Sequence, residues 1–268
     1  MDNFSFNRLG LLIKKQGQEN KTTYLVAVLS LFSVLAVVFI FWIIFSGKVY
    51  QESTIYNIGL VGLYLTGCSF ASSSFDMFSS NSRGIYWISF PSSQLEKMLA
   101  VLFYNVIVFT LLYVAIFFGL KFLAELYINY TPKNQPFYKQ VIYNKVNWSS
   151  KREFTGAFPM FCYLYFIAQA TFILGSISFK KERYLKSAII LIASFFLLVF
   201  YTKNLSDLLF LKGYTFKIFD LKKINNGDDI VYELSNTLKM IIEYFFKFLL
   251  APFIWLITWY KLQEKEVK

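Results

Sequence analysis

The sequence predicts an all-α polytopic membrane protein, and three observations carry that prediction. The chain is 56% hydrophobic and 21% aromatic over 268 residues, more apolar side chain than one water-soluble core of that length holds. Its apolar residues gather in runs of about 20, the length a helix rising 1.5 Å per residue needs to cross a hydrocarbon core roughly 30 Å thick. Its basic residues, which bring the formal net charge to +11, flank those runs as interfacial anchors rather than forming a groove-sized patch with interleaved aromatics. No nucleic-acid partner is expected.

Taken in order, residues 1–22 contain FNRLGLLIKK, in which Phe6, Leu9 and Ile13 recur at helical spacing while Arg8, Lys14 and Lys15 fall on other faces. This predicts an amphipathic helix on the membrane surface, with a frayed basic leader as the alternative, since Gly10 and Gly17 both disfavour helix. The chain is one transmembrane domain, 1–268, with six spans predicted near 23–45, 54–75, 98–120, 157–179, 184–202 and 240–260. The first run is longer than a signal-peptide core and ends at FSGKVYQ without a small-x-small site, so it is expected to stay as an anchor. In the second, Gly67 and Ala71 sit four apart and predict a close helix contact, within the chain or with another copy.

Between the second and third runs lies the polar hinge DMFSSNSRGIYWISFPSSQLEK, residues 76–97. It reads as a loop closed by a helix start, because Ser93 and Glu96 fit the S-x-x-E capping box. Such a helix is expected to present Gln94, Glu96 and Lys97 to water, where a soluble partner can grip it. Residues 121–156 predict a mixed interfacial loop, and 203–235 a polar segment whose Asp228 and Asp229, just before IVYEL, suit a helix cap. In the sixth run Glu243 and Lys247 have the i, i+4 spacing of an ion pair, and Pro252 should kink the helix.

An even number of spans puts both termini on one side. The short link holding Lys180, Lys181, Arg183 and Lys186, and the density of basic residues near it, predict that this side is cytosolic.

The absence of histidine removes Ser-His-Asp and Cys-His nucleophile pairs and His-Cys metal clusters, while Cys68 and Cys162 lie inside apolar runs as small hydrophobes. No G-x-x-x-x-G-K-[ST] stretch is present, so ATP-driven work would need a separate subunit. The chain is not expected to be an enzyme, and no catalytic, cofactor or metal residue is assigned. Glu243 and Lys247 are candidates for a pathway or for structural pairing. Asn105 and Gln169 are amides within spans that either join helices or line a pathway.

The leader FNRLGLLIKK, the second run ending SFASSSFDMF, the hinge GIYWISFPSSQLEKML and the four further spans together resemble the permease subunits of ATP-binding-cassette transporters of the type-2 exporter class, especially small bacterial ones. The resemblance covers essentially the whole chain. It implies a membrane-spanning permease, exporting an unknown substrate, in a bacterial plasma (inner) membrane, with energy from a cytosolic ATPase subunit and with a second permease copy or paralogue as partner. It further implies that a short cytosolic coupling helix touches the ATPase through Ser92, Ser93, Gln94, Leu95, Glu96 and Lys97. Phe6, Arg8, Leu9 and Leu12 would lie in a connecting helix on the inner membrane surface. The 121–156 loop departs from the family in being longer and more basic. The alternative function is a non-transporting scaffold, immunity or assembly factor that acts through helix contacts in membrane lipid.

Overall fold

The computed structural model describes residues 4–45, 49–79, 81–131, 140–142, 154–209, 214–217, 220–223, 230–233, 237, 240–241 and 244–267. The fold is all-α, and six of its helical stretches are long and apolar enough to span a membrane: Lys21–Phe45, Thr54–Ser72, Gln94–Tyr130, Phe161–Ser178, Arg183–Tyr201 and Phe245–Lys265. This is the architecture of an integral membrane protein.

The leader forms α1 (Phe6–Glu19) through both of its glycines, and α2 (Lys21–Phe45) follows after Asn20. The second span is α3 (Glu52–Ser72), ending in a short 3-10 turn at Asp76–Ser79. Within the hinge stands a separate helix, α4 (Asn81–Ile88), which the sequence reading took for loop. Its YWI segment packs Trp87 edge-on against Phe75 and Phe78, contacts across the turn that no local pattern announces. The third span is built from α5 (Gln94–Leu102), a π-turn at Phe103–Val108 and α6 (Phe109–Tyr130).

Helix α6 runs ten residues past the predicted end at 120, well into the segment expected to be loop. Lys121, which the hydropathy pattern takes as a boundary, is buried instead. Its ammonium meets Tyr56 Oη at 2.8 Å and the Glu125 carboxylate at 3.6 Å, so the charge is compensated one helical turn along. Helices α7 (Phe154–Ser178) and α8 (Arg183–Leu209) form a tight hairpin, and α9 (Leu250–Val267) closes the bundle after a second π-turn at Phe245–Leu249. Pro252 lacks an N–H and its ring crowds the carbonyl four residues back, at Phe248. That carbonyl lies within the π-turn, so the predicted kink takes the form of a widened turn.

Among the described residues, short strands occur only in the links between helices. β1 (Val49–Gln51) pairs in parallel with β2 (Gln140–Ile142), tying the α2–α3 link to the α6–α7 link. β3 (Tyr214–Lys217), β4 (Asp220–Lys223) and β5 (Ile230–Glu233) form an antiparallel meander between α8 and α9. IVYE is therefore a strand and not the start of a capped helix, as its β-branched residues favour. Asp228 and Asp229 themselves lie outside the described residues, as does Glu243.

Two apolar cores organise the bundle. Leu31, Leu35 and Phe39 of α2 meet Phe109, Tyr113 and Phe117 of α6, while Cys68 and Ala71 of α3 meet Phe172, Ile173 and Ile177 of α7. Half of the most apolar window of α7 is buried, against 6% for α8, so α7 is the central post and α8 a peripheral one. Gly67 faces α7, where a methyl group in place of its hydrogen would lie 2.5 Å from Tyr165 Oη, and Ala71 is fully buried one turn on.

Candidate functional site

At the end of the bundle where α1 lies, the structural elements converge on one buried carboxylate. Ser93 takes extended backbone, and its Oγ accepts the Glu96 N–H at 3.2 Å while Glu96 Oε2 accepts the Ser93 N–H at 2.9 Å. This is the capping box that S-x-x-E predicts, and α5 starts where the pattern puts it. The second carboxylate oxygen has a role the pattern does not reveal. Oε1 accepts the N–H of Ser5, the residue that opens α1, at 2.8 Å, and Arg8 Nη2 approaches it to 3.2 Å. The Ser5 side chain makes no cap of its own, so Glu96 supplies the missing half of a capping box from 91 residues away. One negative charge thus sits at the positive ends of two helix dipoles.

That arrangement corrects the expected exposure of the hinge. Glu96 is 0% and Lys97 2% exposed, Ser92, Ser93 and Gln94 are half-buried, and Leu95 at 42% is the open member of the six. Glu96 is covered because α1 lies across the first turn of α5. Lys97 is covered by α4, with its ammonium 5.2 Å from the centre of the Trp87 ring.

On α1, Arg8, Leu9 and Leu12 are half-buried, whereas Phe6 and Leu11 stand open, as an interfacial helix requires. Its inner side is held at two further points. Tyr104 Oη donates to Ile13 O at 2.7 Å, and this close approach uses Gly17, where a Cβ would lie 2.6 Å from the same oxygen. Lys15 lies 3.5 Å over the Phe90 ring and pairs with Glu19, which accepts the Tyr86 hydroxyl at 3.1 Å. Helix α1 is thereby bound to α4, the following link and α5 together.

The α7–α8 hairpin joins the same end. Arg183 Nη1 meets Asp76 Oδ1 at 2.8 Å, while its Nε donates to Phe179 O at 2.9 Å, so the basic link is stapled to the corner between α3 and α4. Glu182 takes the left-handed conformation, φ 52°, that so short a reversal demands. Lys261 of α9 reaches Ser178 Oγ at 3.1 Å.

Deeper in the bundle, Asn105 and Gln169 meet. Gln169 Nε2 donates to the backbone carbonyl of Asn105 at 2.7 Å, inside the π-turn where helical pairing is widened. The Asn105 side chain donates to Val101 O at 2.9 Å and accepts from Ser74 Oγ at 2.9 Å, so the turn after α3, α5 with its π-turn, and α7 share one polar node. Replacing Gln169 by leucine is expected to lower stability by about 0.6–1.7 kcal/mol, the span of measured interhelical hydrogen bonds in membranes. Thermal unfolding in detergent checks this, and an unchanged transition would show that the node contributes nothing. Lys247 lies apart from all of these, 5.7 Å from the centre of the Tyr163 ring.

Sequence reasoning missed Ser5, Tyr104, Asp76 and Arg183 as parts of this site. Ser5 contributes only a backbone N–H, which carries no side-chain signal, and the other three act across long sequence separations. The arrangement holds helices and offers a surface; among the described residues its parts are a cap, three ion pairs and aromatic packing. No family model, curated protein or solved structure matches the chain.

Proposed function

We propose that the chain is the permease subunit of an ATP-binding-cassette exporter, set in a bacterial inner membrane with both termini in the cytosol and paired with a second permease copy or paralogue. A separate cytosolic ATPase supplies the energy. The observation that carries this reading is the water-facing platform between spans two and three. A short helix, α4, stands there against the capped start of α5, with Ile85, Ser89, Pro91 and Leu95 exposed. Ile85 is 67% exposed, and open apolar side chains outside the spans mark a surface suited to a soluble partner.

The docking role passes from Glu96 and Lys97 to this outer edge, with Ser92, Ser93 and Gln94 at its rim. Glu96 and Lys97 act from inside, fixing α1, α4 and α5 to one another so that movement of the edge is delivered to the third span and to the interfacial helix together. Rigid-body rocking of spans against a partner copy is then driven from outside the membrane.

The test is co-purification with an ATPase encoded beside this chain. Ile85→Glu combined with Leu95→Glu alters two exposed side chains and is expected to lower recovery of the ATPase at least about tenfold, equivalent to about 1.4 kcal/mol, with membrane insertion unchanged. Equal recovery would remove this edge from the interface. If no ATPase accompanies the wild-type chain, the non-transporting scaffold becomes the better reading.

A further inference from the structure

A groove of about 580 Å³ runs between α2, α3 and α6, within the roughly 300–1,000 Å³ of small-molecule sites. Its floor includes Leu31 and Phe109, both buried, and Val34, Leu65 and Leu112 form an open lip. These lip residues lie well inside the membrane-spanning helices, so the groove opens sideways into the hydrocarbon and not into water.

Its chemistry is graded along its length. At the α1 end it is lined by Tyr24, Ser69, Ser73 and Tyr104, with the two tyrosine rings stacked at 5.1 Å. Lys21, exposed in the first turn of α2, stands one helical turn further toward water than Tyr24. Further in, the lining becomes Leu31, Val34, Leu65 and Leu112; at both levels the hydroxyls of Ser73, Tyr104, Ser30 and Thr66 donate to backbone carbonyls, so the polar end is marked by their oxygens and the stacked rings and not by free protons. From Tyr24 to Val34 the groove descends about 15 Å at 1.5 Å per residue, which is half of a hydrocarbon core about 30 Å thick. It therefore extends from the level of α1 to the bilayer midplane and no deeper.

We propose that this groove holds one acyl chain of an anionic phospholipid from the leaflet on the α1 side, its phosphate near Lys21 and its glycerol region among the hydroxyls. A cationic end, a hydroxyl collar and an apolar channel one leaflet deep match that molecule part for part. A helix from a second copy would continue past the midplane, and nothing in the groove's length provides for it. The site does not depend on an ATPase partner, so its test is separate from that of the transporter reading.

The purified full chain is placed in nanodiscs of phosphatidylcholine and phosphatidylglycerol doped with a phosphatidylglycerol carrying a photoactivatable diazirine midway along one chain. Labelled residues are mapped by mass spectrometry. Val34, Leu65 and Leu112 are expected to be labelled at least fivefold more than Ile189, Phe195 and Leu197, which are more exposed positions on α8. Val34→Trp with Leu65→Trp fills the lip from exposed positions and should bring groove labelling down to the α8 level, while Ile189→Trp leaves it unchanged. Equal labelling of groove and α8 in the wild type means ordinary annular lipid only and overturns the proposal, as does labelling that survives the double tryptophan variant. Should the double variant fail to fold, the wild-type ratio decides the question alone.

Discussion

Replacing Glu96 with alanine is expected to release α1 from the bundle while the six spans stay inserted. The carboxylate accepts the backbone N–H groups of Ser5 and Ser93, and its removal leaves two half-buried donors without that acceptor, each costing up to about 1–3 kcal/mol. The Arg8 ion pair adds little, because its side chain is 38% exposed and screened by water. Of the two backbone bonds, only that of Ser5 joins α1 to α5, and its loss, about 1–3 kcal/mol, corresponds to a roughly tenfold to hundredfold increase in the opening of α1, at 1.36 kcal/mol per factor of ten. Amide hydrogen exchange over Phe6–Glu19 reads this directly. Arg8→Ala should raise exchange less than tenfold, which separates the cap from the ion pair. If α1 keeps wild-type protection in Glu96→Ala, the shared cap is not what fastens it.

The second large effect is expected at Gly67. A leucine there must displace Tyr165, because its Cβ alone would lie 2.5 Å from the phenol oxygen and 2.7 Å from ring carbon Cε2. Tyr165 is only 2% exposed and has no open space to retreat into. Overpacking of this kind costs about 1–3 kcal/mol, and Ala71→Leu in addition, at a fully buried position, should lower the yield of folded protein further. Gly119→Leu supplies the contrast, since nothing lies within 4 Å of its added Cβ. There the gain in helix propensity, about 0.5–1 kcal/mol, should raise the unfolding temperature. Opposite shifts for the two glycines identify packing as the cause. Shifts of the same sign would mean that propensity or hydropathy governs both.

The spans were legible because a membrane imposes length and composition directly on sequence. The runs at 23–45, 157–179 and 184–202 and the box at Ser93 and Glu96 each rest on residues next to one another in the chain. What escaped the sequence depends on partners far away. Lys121 looks like the end of a span until Tyr56 and Glu125 are found beside it. The residues of α4 look like loop until Trp87 is seen packed against Phe75 and Phe78. Glu96 carries a clear local signature, yet that signature describes half of its contacts. Its exposure was misjudged because the covering helix lies at the other end of the sequence. Asn105 and Gln169 could be named as helix-joining amides, but not as each other's partners, because the acceptor is a backbone carbonyl.

The helical run Gln94–Tyr130 contains 37 residues, about 55 Å at 1.5 Å per residue, nearly twice the thickness of the hydrocarbon it crosses. It therefore behaves as a rod longer than the hydrocarbon core is thick, gripped at its first turn by α1 and braced toward its far end where Lys121 meets Tyr56. Tilting such a rod by about 5° carries its far tip about 5 Å sideways, close to the pitch of one helical turn. The π-turn at Phe103–Val108 is centred about a third of the way up, so bending there leaves most of the rod's length as the long arm of a lever.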